Sequence, residues 1–234
     1  MPESIVYNMD CMEGMKQYPD KYFDLAIVDP PYGIGVGNVY AEDTKVRSGS
    51  KAMRGSFKVG WDNSAPNEDY FFELFRVSKN QIIWGANHFI SKMPFDSAGW
   101  VYWDKDNGTN DFSDGELAFS SFNKGLRRIK LRWNGMLQHD MKNKETRIHP
   151  TQKPIALYKW LLQNYAKAGN KILDTHLGSG SSRIATYDMG FDFTGYELDT
   201  DYYLAQEKRF KNHIAQQSLF VPETQPIITQ TKLL

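Results

Sequence analysis

Apolar and polar positions alternate along the chain in a way that predicts strands and helices in turn. Strands are predicted at 5–10, 23–29, 81–86, 100–103, 116–121, from 171 and around 193, and helices at 67–77, 154–167, 181–189 and 201–214. Parallel pairing through crossover helices is expected for the early strands. The stretch 127–133 alternates basic with apolar residues, which indicates an exposed strand with one charged face. The stretch 216–234 has no clear periodicity and is predicted to be irregular.

One apolar run ends in a group of residues suited to binding a flat amine. The strand 23–28 leads into Asp29, Pro30, Pro31 and Tyr32. Proline fixes φ and has no N–H, so the carbonyls of Asp29 and Pro30 and the Asp29 carboxylate are available as acceptors. Tyr32 offers a face for stacking, a contact of about 1–3 kcal/mol per base in nucleic-acid complexes. The alternative is an ordinary Pro-Pro turn with a packed tyrosine, and this motif alone does not decide between the two.

A glycine-rich turn later in the chain indicates a site for a nucleotide-type cofactor. The strand from Lys171 ends in Asp174, and Gly178 and Gly180 follow before the next helix. Such a turn lets the backbone approach a ligand and opens a helix N-terminus. About twenty residues later Glu197 ends another strand, where doubly wound folds hold a ribose hydroxyl. The full G-x-G-x-x-G pattern is absent, which disfavours a nicotinamide cofactor and favours one with a single ribose and a charged amino-acid tail.

Composition is consistent with one substantial core in a reducing compartment. The chain has 234 residues, of which 41% are hydrophobic and 14% aromatic, and this predicts one catalytic domain over 1–215 with a tail at 216–234. Its single cysteine, Cys11, cannot form an internal disulfide, and no zinc-type spacing occurs, so no metal is expected. The sequence has neither a leader-like start nor a long apolar stretch, so we expect a cytoplasmic protein that does not interact with membranes.

Positive charge is concentrated although the formal net charge is +0. Residues 121–153 contain nine basic residues against two acidic ones, and a second basic cluster lies within 38–62. A solvated surface explains short basic runs, but these lie beside two nucleotide-type motifs and suit DNA phosphates. Two aromatic residues in these segments, Phe57 and Trp133, are candidates for stacking on bases. The candidate DNA contacts are Arg54, Lys58, Arg127, Arg128, Lys130, Arg132, Lys142, Lys144 and Arg147.

Taken together, these motifs resemble the beta class of DNA amino-methyltransferases, which use S-adenosylmethionine. The D-P-P-Y motif at 29–32 precedes the glycine turn at 174–180, and the stretches 8–15 and 149–154 match as well. The resemblance implies a Rossmann-like α/β methyltransferase fold with permuted motif order, the catalytic motif before the cofactor motif. It also implies a small inserted target-recognition region, with basic segments at about 38–62 and 121–148. His176 is a departure, because the family usually has an aromatic residue there.

The same resemblance implies a role for each matching residue. Asp29, Pro30, Pro31 and Tyr32 would be catalytic. The implied cofactor residues are Asp10 near the adenine, Glu197 at the ribose, Asp174, His176, Gly178, Ser179, Gly180 and Ser181 around the methionine part, and Thr151 and Lys153 towards its carboxylate. Asp10 as a plain strand-ending acid, Asp199 in place of Glu197, and a simple helix-entry turn at 151–154 remain open.

For the reaction, the resemblance implies methyl transfer to a flipped-out base in double-stranded DNA. Adenine N6 is expected, because an aspartate in the first catalytic position usually accompanies adenine and a serine cytosine. The alternatives are an N4-cytosine methyltransferase, an RNA base methyltransferase, or a nucleic-acid-binding relative without catalysis. A homodimer and a cognate restriction endonuclease acting on the same DNA site are the further partners that the resemblance allows.

Overall fold

The computed structural model describes residues 2–35, 62–108, 113–134 and 137–218. Its helices within these ranges are α1 (Cys11–Met15), α2 (Glu68–Val77), α3 (Ile155–Tyr165), α4 (Ser181–Asp188) and α5 (Thr200–Ser218). The strands are β1 (Ser4–Tyr7), β2 (Phe23–Val28), β3 (Ser78–Trp84), β4 (Gly99–Asp104), β5 (Gly115–Ser120), β6 (Arg127–Lys130), β7 (Trp133–Asn134), β8 (Leu137–Gln138), β9 (Lys171–Asp174) and β10 (Asp192–Tyr196). The predicted strands and helices occur in the predicted order, and the structure adds α1 and the short strands β7 and β8.

One large sheet runs through the described part of the molecule, in the order β1-β10-β9-β2-β3-β5-β4-β6. The five strands from β1 to β3 in this order pair in parallel, whereas β5 is antiparallel to both of its neighbours. The two strands that end in the predicted motifs are neighbours, with Leu25 of β2 opposite Ile172 of β9. Because parallel strands end at the same edge of a sheet, Asp29 and Asp174 emerge on one side of the molecule.

The central strand β2 is buried on both faces, which explains its continuous apolar run. Leu25 and Ile27 belong to a core cluster with Leu161 of α3, whereas Ala26 and Val28 belong to a second cluster with Leu74 of α2. Successive side chains of a strand point to opposite faces, so one run of six residues serves both cores. Helices therefore cover the two faces of the sheet, and the ends of the strands are left for the site.

Several predicted boundaries differ from the observed ones for local reasons. The first strand ends at Tyr7, because Asp10 caps α1 by accepting a hydrogen bond from the Met12 N–H at 2.7 Å. The strand predicted at 127–133 ends at Lys130. The last helix continues to Ser218, so residues 216–218 of the predicted irregular tail are helical, and residues 219–234 lie outside the described ranges. None of the helices in the described ranges is both long and apolar enough to cross a membrane.

Candidate active site

Asp29 lies directly after β2 and is held by two donors. The Tyr32 hydroxyl donates to Asp29 Oδ1 at 2.8 Å. Lys153 Nζ lies 2.5 Å from Asp29 Oδ2. The Asp29 side chain keeps 15% of its surface exposed, so it is largely desolvated and still accessible from outside. A carboxylate has about four acceptor positions, and two of them remain for a ligand.

Lys153 is almost completely buried and bridges two carboxylates. Its Nζ contacts Glu116 Oε2 at 3.0 Å and donates to the Tyr32 hydroxyl at 3.1 Å, in addition to its contact with Asp29. Lys105 Nζ in turn lies 2.5 Å from Glu116 Oε1. The sequence predicted Lys153 beside a cofactor carboxylate, whereas the structure brings its ammonium to Asp29. Glu116 and Lys105 are not found from the sequence, because neither lies in a recognisable motif.

These charges determine one another's ionisation. Burial raises the pKa of Asp29, and the Lys153 ammonium opposes this effect. Burial would raise the pKa of Glu116 too, but the ammonium groups of Lys153 and Lys105 lower it to about 2. Burial would lower the pKa of Lys153, and the two carboxylates reverse this and raise it. Lys153 and Glu116 are therefore both charged at neutral pH.

The ring of Tyr32 is fixed by its neighbours. It stacks on His88 with 5.1 Å between ring centroids and 16° between the planes. Gly85, which has a positive φ of +67°, packs so closely that a Cβ there would lie 2.1 Å from the tyrosine ring. Pro30 is buried and Pro31 is partly exposed. The four residues 29–32 thus form a rigid edge at the end of β2.

A second group of residues surrounds the glycine turn after β9. Asp174 is buried and accepts hydrogen bonds from the His176 N–H at 3.1 Å and the Ser182 hydroxyl at 2.5 Å. Gly178 and Gly180 have φ of +52° and +72°, in the left-handed region that favours glycine. The carboxylate of Glu197 accepts from the Gly178 N–H at 2.8 Å. The ends of β9 and β10 are thereby joined at this turn.

Arg209 of α5 supports the same turn and was not found from the sequence. It donates to the Ser179 carbonyl at 2.7 Å and to the Ser181 hydroxyl at 3.0 Å. Its other nitrogen bonds to Glu145 Oε2 at 2.7 Å. A serine turn braced by an arginine from a helix needs contacts between residues far apart in sequence, so no local pattern reveals it.

Burial changes the ionisation of two groups at the turn. It raises the pKa of Asp174 to about 7 and lowers the pKa of His176 to about 4. The His176 imidazole is therefore neutral at pH 7, and its Nδ1 lies 2.9 Å from the Thr175 hydroxyl. His176 also packs edge-on against Tyr70. It occupies the place of an aromatic residue as a packed ring.

The remaining predicted cofactor residues lie around the turn at different depths. Asp10 is exposed beyond the end of β1, and its charge acts on the His176 imidazole. The Thr151 hydroxyl lies 3.2 Å from His149 Nδ1, and the His149 ring is the nearest group to Gly178 on its Cβ side. Asp199, the rival to Glu197, donates its N–H to Glu197 Oε1 at 2.9 Å and accepts from the Asp201 N–H with its side chain.

The basic segment is more neutral than its sequence indicates. Arg128 pairs with Asp104 at 2.5 Å, and Lys130 and Arg132 pair with Asp106 at 2.7 and 2.6 Å. Arg127, Lys142 and Lys144 are exposed, whereas Arg147 is half-buried over the Trp133 ring. Trp133 is itself buried and belongs to the core, so the expectation that it stacks on a base is wrong. Arg54, Lys58 and Phe57 lie outside the described residues.

Comparison with known proteins decides the family. A sequence model of a DNA methylase family, the N6/N4 type, matches residues 83–208, more than half of the chain. The chain belongs to this DNA methylase family. The predicted resemblance to beta-class DNA amino-methyltransferases is thereby confirmed. Membership of the family is compatible with either base, adenine at N6 or cytosine at N4.

One sequence relative and two solved structures are similar to this chain. Type II methyltransferase M2.MboI of Moraxella bovis is 23% identical, with 88% of this chain and 86% of that protein covered. A DNA modification methylase of Thermus thermophilus, TTHA0409, complexed with S-adenosyl-L-methionine, has a TM-score of 0.56 at 17% identity and covers 92% of this chain and 95% of that one. The cytosine-N4-specific PvuII DNA methyltransferase has a TM-score of 0.56 at 11% identity, covering 92% and 93%. The predicted Rossmann-like methyltransferase fold is confirmed.

Proposed function

We propose that this DNA methylase transfers a methyl group from S-adenosylmethionine to the exocyclic N6 of adenine in double-stranded DNA. The observation that carries the proposal is the accessible Asp29 carboxylate at the end of β2, beside the glycine turn at the end of the adjacent strand β9. The choice of adenine rests on the aspartate in the first position of the D-P-P-Y motif, which usually accompanies adenine in this family. Residues 1–215 would form the catalytic domain.

The residues around the turn fit S-adenosylmethionine. Among the described residues, the Asp174 carboxylate bonds to two neutral donors, the Ser182 hydroxyl and the His176 N–H. A buried carboxylate held by neutral donors suits the ammonium group of the methionine part, and Glu197 at the turn suits the ribose hydroxyls. A cofactor with a sulfonium group supplies an electrophilic methyl when bound. Asp10, Thr151, His176 and the backbone of 178–181 would surround the rest of it.

The chain's own residues would activate the target amine. The lone pair of an adenine N6 is delocalised into the ring, so the amine is a poor nucleophile. Hydrogen-bond acceptors for its two N–H groups would localise the lone pair on the nitrogen. Asp29 would accept one N–H and the Pro30 carbonyl the other, which favours a pyramidal nitrogen. Tyr32 would provide the stacking contact for the base, beside the His88 ring that it packs against. The base reaches this pocket only when it is flipped out of the duplex.

The cofactor hypothesis predicts a pH dependence that follows Asp174. Because the pKa of this carboxyl is raised to about 7, it is ionised above that pH and protonated below it. The affinity for the cationic cofactor is therefore expected to fall as the pH is lowered from about 8 to about 6, in calorimetric titrations without DNA. In Asp174→Asn the affinity should be low and nearly independent of pH. A wild-type affinity that stays constant over this range would contradict the role of Asp174.

The DNA hypothesis predicts that Asp106→Asn binds DNA more tightly. The substitution removes a charge that neutralises Lys130 and Arg132, so both become free to pair with phosphates. Affinity for duplex DNA at low salt is expected to rise several-fold, with a steeper dependence on salt concentration. Asp20→Asn is the matched control, because it removes a charge from the exposed pair with Arg76. If the two variants show the same dependence of affinity on salt concentration, Lys130 and Arg132 do not contact DNA.

The central test is methyl transfer from labelled S-adenosylmethionine to unmethylated duplex DNA, followed by digestion to nucleosides. N6-methyladenine is the expected product. N4-methylcytosine would keep the family and overturn the choice of adenine. Transfer to RNA alone, or cofactor binding without transfer, would reject the proposed reaction. A homodimer and a cognate restriction endonuclease stay predictions, which sizing of the purified protein and inspection of the neighbouring genes would test.

A further inference from the structure

The buried ammonium of Lys153 is surrounded by groups from three other parts of the chain. Asp29 and Tyr32 follow β2, Glu116 lies on β5, and Lys105 follows β4 and pairs with Glu116. Only 3% of the Lys153 side chain is exposed. An ammonium has three N–H groups, and Asp29, Glu116 and Tyr32 offer it three partners. This position leaves Lys153 without a donor for a ligand at the glycine turn.

Resting on the function proposed above, we propose that Lys153 is a positioning residue that holds the Asp29 carboxylate for the target amine, and that Glu116 and Lys105 hold Lys153 in place. The two carboxylates and two ammonium groups form a set with no net charge, in which each buried charge lies beside an opposite one. Lys153 and Tyr32 bind one oxygen each of Asp29, which fixes the plane of the carboxylate. Each oxygen keeps a further lone pair that can accept from the target amine.

The charges that face Asp29 affect its pKa, and a shift of this pKa distinguishes the proposal from a merely structural role of Lys153. Lys153 favours the ionised carboxylate, Glu116 opposes it, and the Tyr32 hydroxyl favours it through its hydrogen bond. Asp174, Tyr70 and Tyr158 are the further titratable groups that interact with Asp29. Removing Lys153 should therefore raise the pKa of Asp29, and removing Glu116 should lower it. The two substitutions therefore shift the pKa of Asp29 in opposite directions, although each is expected to slow the reaction.

The test uses Lys153→Met, Glu116→Gln and the double variant, with Lys159→Met as the control. Lys159 also pairs with a carboxylate, Asp188 at 2.6 Å, but 39% of its side chain is exposed and Asp188 belongs to α4. The rate of methyl transfer to unmethylated DNA at saturating cofactor should fall by up to roughly 100-fold in Lys153→Met and Glu116→Gln, because a misplacement of about 1 Å at a reacting group costs that much. Cofactor affinity should stay close to that of wild type.

Two readouts separate this proposal from its rivals. The acid limb of the pH–rate profile should move to higher pH in Lys153→Met and to lower pH in Glu116→Gln. The double variant keeps the charge balance of the buried set, which guards against misfolding. It should be no slower than Lys153→Met, because without Lys153 the Glu116 carboxylate positions nothing and only opposes the ionisation of Asp29. Additive losses of rate in the double variant would overturn the proposal. A large loss of cofactor affinity, with the acid limb of the pH–rate profile unchanged, would overturn it too and would indicate that Lys153 binds the cofactor.

A measurement without DNA keeps this inference distinct from the proposed reaction. The carboxyl carbon of Asp29, labelled with ¹³C and assigned by its loss in Asp29→Asn, can be titrated by NMR in each variant. The expected order of Asp29 pKa is Glu116→Gln lowest, wild type next and Lys153→Met highest. If wild type transfers no methyl group but this order holds, the proposed reaction is rejected, and the proposal that Lys153 and Glu116 control the Asp29 carboxylate is supported. Equal Asp29 pKa values in the three proteins would reject the set itself.

Discussion

Asp29→Asn is expected to lower the rate of methyl transfer by roughly 10²–10⁴-fold, the usual loss when a group that handles a proton of the reacting atom is removed. An amide keeps the shape of the side chain but replaces one acceptor oxygen with a donor, so it repels the N–H that the carboxylate accepts. The buried Lys153 also loses its closest partner. Initial rates with labelled S-adenosylmethionine and unmethylated duplex DNA measure the effect.

The hydrogen bonds of the cofactor site should be unaffected by that substitution, because Asp174, Glu197 and the glycine turn make none to Asp29 among the described contacts. The Asp29 charge does contribute to the raised pKa of Asp174, so calorimetry should give a wild-type affinity for S-adenosylmethionine at about pH 8, where Asp174 is ionised in both proteins. Asp20→Asn, just before strand β2, is the matched control, because its exposed carboxylate pairs with Arg76. It should retain the wild-type rate within about twofold. A fully active Asp29→Asn enzyme would remove Asp29 from the mechanism.

Gly85→Ala is the second substitution with a large expected effect. A methyl group there would lie 2.1 Å from the Tyr32 ring, and φ at this position is +67°. The strained backbone alone costs about 1–3 kcal/mol of unfolding free energy. Displacement of the ring also pulls the Tyr32 hydroxyl away from Asp29. A misplacement of about 1 Å at a reacting group lowers rates by as much as roughly 100-fold, so activity should fall by more than the loss of stability explains.

Gly169→Ala separates the two causes. Gly169 has a similar φ of +81°, but a Cβ there meets no atom within 4 Å. Chemical denaturation should therefore show a smaller loss of stability than in Gly85→Ala, and methyl transfer below the unfolding transition should be that of wild type. If both variants lose stability equally and both keep full activity, the contact between Gly85 and Tyr32 has no functional consequence.

Local patterns predicted most of the fold and the two halves of the site. The run 23–28 is apolar because β2 is covered on both faces, and the turn at 178–180 needs glycine because its φ values are positive. Both properties depend on residues close together in sequence. Asp10 shows the limit of such reasoning, since the acid predicted to end a strand instead caps a five-residue helix.

Contacts between distant residues could not be predicted in this way. In the sequence, Glu116 is one acidic residue in an ordinary predicted strand. Only the folded chain shows that it contacts Lys153. The excess of positive charge in 121–153 was counted without Asp104 and Asp106, which lie outside that stretch but pair with it where β4 and β6 are neighbours. Charge counted along the chain therefore overestimated the field that DNA would meet.

The strand order also has a consequence for how this protein is made. β9 and β10 lie between β1 and β2 in the sheet, and Asp24 of β2 accepts a hydrogen bond from Lys171, which is 147 residues away in sequence. During synthesis, β2 must wait for β9 to leave the ribosome before one of its edges is paired. Such long-range pairing slows folding and exposes apolar strands meanwhile. We therefore expect the nascent chain to expose an unpaired edge of β2 until β9 has been translated.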